Sequence, residues 1–142
     1  MTLALREAIH DRWNNAGLAT AVAPLYPGAR DAAPERTVLP RAQYSLPGDT
    51  QRTRSRGSRE LLQDLRFQVW GTEDATVQQY VDLIEAAFVD SESASTNPLS
   101  LAPADGRILS VDYVGQVVIQ EEASVFQGLL ELRIQWCRAI AA

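Results

Sequence analysis

The segment LRFQVWGTEDATVQQYVDLIEAAF, residues 65–88, decides the fold, because a strand pattern changes into a helix pattern within it. Leu65, Phe67 and Val69 alternate with other residues, as in a strand that has one buried face. Thr72 can cap a helix that follows directly. The apolar residues of that helix recur at three- and four-residue spacing, at Val77, Val81, Ile84 and Phe88. The segment therefore predicts a strand packed against an amphipathic helix.

Another amphipathic helix is predicted near the start of the chain. Leu5, Ile9 and Trp13 follow one another at four-residue spacing, which places them on one face of a helix. Thr2 can cap this helix at its beginning, and Gly17 can end it in a left-handed conformation. The charges early in this segment favour a helix of the folded domain over a signal peptide.

The remaining patterns are those of β-strands. Residues 18–22 form a short apolar run, and residues 37–46 alternate loosely around Pro40, which predicts an edge position or a bulge there. Further strands are predicted at 60–71, 107–120 and 125–136. The order α-β-β-β-α-β-β with short connections predicts one α+β domain over residues 1–142. Its sheet is expected to be largely antiparallel, with both helices on one face.

The composition offers little for catalysis. The 142 residues include one histidine, one cysteine and no lysine, and no nucleotide-binding or metal-binding motif is present. His10 and Cys137 are each most simply structural or surface residues, and a single cysteine fits synthesis in a cytosol. Asp90 and Glu92 could bind a cation but are more simply part of a solvated acidic loop, and Glu121 with Glu122 is most simply a charged strand turn. We therefore expect no enzyme, no cofactor, no bound metal and no membrane-spanning segment.

The charge is distributed unevenly. Residues 36–66 hold seven arginines against three acids, a net charge of +4, whereas the rest holds six arginines against fifteen acids, or −9. Within residues 36–66, the segment 48–60 is predicted to form a flexible loop. A second loop is predicted outside this basic part, at 91–106. The basic loop contains Arg52, Arg54, Arg56 and Arg59. Because no aromatic residue lies between these arginines, stacking on bases is not indicated. Contact with phosphates, contact with an acidic protein and simple solvation stay open.

A second apolar surface is also predicted. Leu62, Trp70 and Leu129 fall on the side of their strands opposite the main apolar residues. Apolar residues on an otherwise polar sheet face favour contact with another subunit. Scattered exposed apolar residues are common, however, and are the simpler alternative.

Several segments together resemble the tail terminator, or tail completion, proteins of long-tailed bacteriophages. LREAIHDRW (5–13) resembles the opening helix of that family, and LYPGA (25–29) resembles its Tyr-Pro-Gly turn. PERTVLPRAQYSL (34–46) and the strand-then-helix segment 65–88 resemble its following strand and its core. LLELRIQW (129–136) resembles its last strand, so the resemblance covers nearly the whole chain, with the two loops as variable insertions.

The resemblance implies a structural virion protein. Members of this family form a ring, commonly six-fold, that ends the tail tube and provides the docking face for the head connector. The implied partners are other copies of the chain, the tail tube protein and the connector or neck protein, with DNA passing through the lumen. On this interpretation the arginines face an acidic neighbour or the lumen. The alternatives are another head–tail joining protein, such as a neck or head-completion component, and a non-viral nucleic-acid-binding α+β domain.

Overall fold

Two long antiparallel strands, β4 (Ser58–Gly71) and β6 (Val125–Ala139), form the centre of the sheet in the computed structural model. The structure describes residues 3–28, 38–55, 58–89 and 99–139, with the backbone alone described for 49–55, 58–59 and 139. The elements in chain order are α1 (Leu3–Asn15), α2 (Leu18–Ala21), β1 (Leu25–Pro27), β2 (Arg41–Ser45), β3 (Asp49–Ser55), β4 (Ser58–Gly71), α3 (Asp74–Phe88), β5 (Gly106–Glu122) and β6 (Val125–Ala139).

The sheet is largely antiparallel. β5 pairs with β6, and β2 and β3 pair with successive parts of β4 on its other side. β1 runs parallel to β2 and is the exception to the antiparallel pattern. One edge of the sheet is therefore β5, and the opposite edge is made by β1 and β3.

The main core lies between the helices and one face of this sheet. Trp13 of α1 and Phe88 of α3 are fully buried, and their ring centroids are 6.4 Å apart. Phe67 of β4 contacts both, with centroids 5.7 Å from Trp13 and 4.8 Å from Phe88. The indole N–H of Trp13 donates to the carbonyl of Ala23 at 2.9 Å. The α+β fold with both helices on one sheet face is thus confirmed. The core combines Ile9, Trp13, Val81, Ile84 and Phe88 of the helices with Phe67, Val69, Leu132 and Ile134 of the sheet.

Glycine allows α3 to approach the sheet closely. A Cβ atom added at Gly128 would lie 2.5 Å from Cγ2 of Val81 and 2.9 Å from Cγ1 of Val77. Such distances are shorter than van der Waals contact, so a larger residue would push the helix outward. The absence of a side chain at Gly128 therefore permits the short distance between α3 and strands β4 and β6.

Three local predictions are wrong. Residues 18–21 form the short helix α2, since Gly17 adopts a left-handed φ of 75° and the Leu-Ala-Thr-Ala sequence then closes a turn. The strand predicted around Pro40 begins after it, at Arg41, and has a neighbour on each side. The first helical hydrogen bond of α3 runs from Val77 to Glu73, so Glu73 takes the capping position predicted for Thr72. Thr2 lies outside the described residues.

The predicted loop at 48–60 is instead mostly a β-hairpin. β3 pairs with the first part of β4 from Ser55 opposite Ser58 to Asp49 opposite Gln63, with a register irregularity between Gln51 and Thr53. A strand of polar residues has no apolar alternation, so its sequence pattern does not differ from that of a loop. Its hydrogen bonds to β4 determine the strand conformation. In the second predicted loop, residues 99–105 form neither helix nor strand, and β5 begins at Gly106.

Candidate assembly surface

The sheet face opposite the helices carries charged pairs at its centre. Nη2 of Arg66 lies 2.8 Å from Oε1 of Glu131, and Nε of Arg133 lies 3.2 Å from Oδ1 of Asp64. These pairs join β4 to β6, and their side chains are between 41% and 49% exposed. Exposed ion pairs stabilise a fold by only about 0–1 kcal/mol. The centre of this face is therefore a solvated polar surface.

The three apolar residues predicted for a subunit interface all belong to this second face, but they differ in exposure. Leu62 and Leu129 are partly exposed. Trp70 is fully buried within the subunit, so it offers no surface to a partner, and the prediction for Trp70 needs correction. Strand alternation assigns a side chain to a sheet face but does not show whether other parts of the chain cover it. An interface role for Leu62 and Leu129 stays a prediction.

Strand β5 exposes apolar side chains that the sequence analysis did not single out. Tyr113, Val114, Val117 and Ile119 are each between 43% and 48% exposed. Val117 and Ile119 pair with Leu129 and Gln127 of β6, which places them along the edge of the second face, whereas Tyr113 pairs with Leu132 on the helix side. The sequence contains a signal for this exposed strand, since residues 117–119 are three consecutive apolar residues where strict alternation would place a polar one.

Opposite charges lie at opposite ends of the sheet. The β3–β4 hairpin carries Arg52, Arg54 and Arg59 in its strands, at the end where β4 begins. The β5–β6 hairpin turns where β4 ends, and Glu121 and Glu122 are exposed beside that turn. Residues 49–59 have a net charge of +3 (four arginines, one aspartate), and residues 119–124 at the other end have −2 (two glutamates, no base). Arg56 lies outside the described residues. The subunit is thus electrically polar along its strands.

The described residues contain little catalytic machinery. The ring of His10 contacts Tyr44 edge to face at 5.2 Å, beside an open groove of about 360 Å³ between α1 and the β1–β2 edge. Cys137 is partly buried on β6, opposite Glu60 and Arg107. In the parts of the chain that are described, no group of three His, Cys, Asp or Glu side chains could hold a metal ion. Asp90 and Glu92 lie outside those parts.

No described helix has the length and apolar character needed to cross a membrane. No protein-family model and no curated protein matches this chain. Among solved structures, it is similar to a chain from the virion of a native gene transfer agent particle, with a TM-score of 0.61 and 16% sequence identity. The match covers 95% of this chain and 98% of that chain. At this identity the likeness is one of fold, and it extends over nearly the whole of both chains.

Proposed function

We propose that this chain is a structural virion protein that forms a ring at the head-proximal end of a tail tube. The observation that carries the proposal is the fold shared with a chain of a gene transfer agent virion over nearly its full length. A fold alone does not define a function, so surface features must also support it. The resemblance to tail terminators in helix, turn and strand segments supports the finer role.

The charged ends of the sheet fit this role. A ring between a tube and a connector has two different faces, one for each partner. This subunit has a basic hairpin at one end of its strands and exposed glutamates at the other. If the strands run roughly along the ring axis, the copies place all basic hairpins on one rim and all glutamates on the other. Such a ring distinguishes its two partners by charge.

Localisation in the particle tests the proposal. With gold-labelled antibodies raised against this chain, we expect labelling at the head-proximal end of each tail, beside the connector. Quantitative mass spectrometry of purified particles should give about six copies per tail, the number for one six-fold ring. An antibody against the tube protein is the control, and it should label along the tail or at its free end. Absence of the chain from purified particles would contradict the proposal.

The arginines of residues 52–59 are proposed to contact an acidic partner in the assembled particle, either a tail surface or DNA in the lumen. The quadruple variant with Arg52, Arg54, Arg56 and Arg59 changed to Gln should keep its melting temperature within a few degrees and lose the formation of complete particles. Complexes of the parent should weaken with added salt, because the Debye length falls below about 8 Å above physiological ionic strength.

The matched control for the arginine variant is Arg133→Gln, which removes one arginine from a central ion pair on the second face. Normal particle formation by the quadruple variant would show that the basic hairpin serves solubility alone. Particles that assemble but fail to deliver DNA would favour the lumen over an acidic tail surface.

A further inference from the structure

The outer side of β5 has no strand partner among the described residues. Among the described strands, β5 has a neighbour on one side only, and irregularities in its pairing with β6 leave residues 115–120 as an uninterrupted run. This run, Gly-Gln-Val-Val-Ile-Gln, contains no charge and no proline. Exposed apolar edge strands promote aggregation, and proteins usually protect them with charges, prolines or a covering element. A covering partner in the functional state explains why this edge lacks such protection.

The opposite edge of the sheet carries an exposed aromatic residue at the same level. Strand register places Tyr26 of β1 beside Gln43, then Gln68, Leu129 and Val117 of β5 in one row across the sheet. The residues at the two ends of this row, Tyr26 and Val117, are 44% and 48% exposed. Both ends of one row are therefore apolar and open to contact.

The charges beside these two residues are complementary. The guanidinium of Arg41 lies over the ring of Tyr26, with its central carbon 4.4 Å from the ring centroid. By strand register, Arg41 shares a row with Ile119 of β5, two residues before Glu121 and three before Glu122. The acidic end of β5 thus begins two residues, about 7 Å, beyond the level of the arginine on the opposite edge.

We infer that residues 113–122 of β5 join one copy of this chain to the β1 edge of a second copy, with Val117 and Ile119 against Tyr26 and with the glutamates toward Arg41. Strand direction permits this, because β1 is antiparallel to β5 within the subunit and stays so after rotation about an axis along the strands. The contact joins two different surfaces, so it can repeat and close into a ring. Closure into a ring rests on the proposed function. The inference adds which surfaces of neighbouring copies are in contact.

Two edge variants test the contact. The first carries Val117→Asp and Ile119→Asp on β5, and the second carries Tyr26→Asp and Arg41→Glu on the opposite edge. In sedimentation velocity of the full chain, the parent should self-associate, and each variant alone should show a dissociation constant raised at least about 100-fold, the size of an interface hot-spot effect. An equimolar mixture of the two should form heterodimers and nothing larger, since each variant keeps one intact edge. Leu83→Asp on α3, 44% exposed in the parent, is the matched control and should assemble normally.

Circular dichroism and melting temperature verify that each variant is folded, and only folded variants are compared. Self-association of the second variant alone would indicate a symmetric β5–β5 contact and overturn the inference. Unchanged assembly of the first variant would also overturn the inference. A parent that stays monomeric at its highest soluble concentration would overturn it too, and would indicate that β5 binds a different protein. None of these outcomes contradicts the proposed function if antibodies still locate the chain at the tail end.

Discussion

Phe88→Ala should lower the free energy of unfolding by about 3–5 kcal/mol, the usual cost of removing a buried phenylalanine. The Phe88 side chain is fully buried at the end of α3 and packs against the rings of Phe67 and Trp13. Alanine would leave a cavity at the point where α1, α3 and β4 meet, and the rigid aromatic neighbours could fill it only in part. The measurement is urea denaturation at equilibrium, followed by tryptophan fluorescence.

The same helix offers a matched control. Leu83 of α3 is 44% exposed, so Leu83→Ala should change stability by no more than about 0.5 kcal/mol. A loss below about 1 kcal/mol for Phe88→Ala would show that the aromatic cluster does not hold the helices on the sheet.

The sequence predicts the core well because its signals are local. The buried residues of α1 and α3 recur at helical spacing, and Phe67, Val69, Leu132 and Ile134 alternate along strands, so neighbouring residues alone identify the face that is buried. The main core and the position of both helices on one sheet face were predictable for this reason.

The sequence does not predict features that depend on distant parts of the chain. β3 has no apolar alternation, and its strand conformation depends on pairing with β4. Strand alternation places Trp70 on the polar face of the sheet, yet its side chain is fully buried. Alternation along one strand does not show which side chains other parts of the chain cover. Val117 and Ile119 are exposed because β5 is an edge strand, and strand order is a property of the whole sheet. The candidate assembly surface was therefore only partly predictable: Leu62 and Leu129 were found from sequence, and β5 was not.

The proposed role in ending the tube predicts a large effect of gene deletion on tail length. A tube that lacks its terminator has no signal to stop growth and no face for the connector. Deleting the gene that encodes this chain should therefore give tails of variable, mostly excessive length without joined heads. Expression of the parent chain from a plasmid should restore tails of one length. Phe88→Ala should restore them poorly at elevated temperature because of its lower stability.

Tail length in the deletion strain, measured by electron microscopy of negatively stained lysates, is the direct test of the proposed role in ending the tube. We predict a broad distribution of lengths and free heads, with both defects corrected by the parent chain. Tails of normal length without heads would assign the chain to the neck or to head completion instead. Tails of normal length that carry heads would contradict a structural role at the tail end altogether.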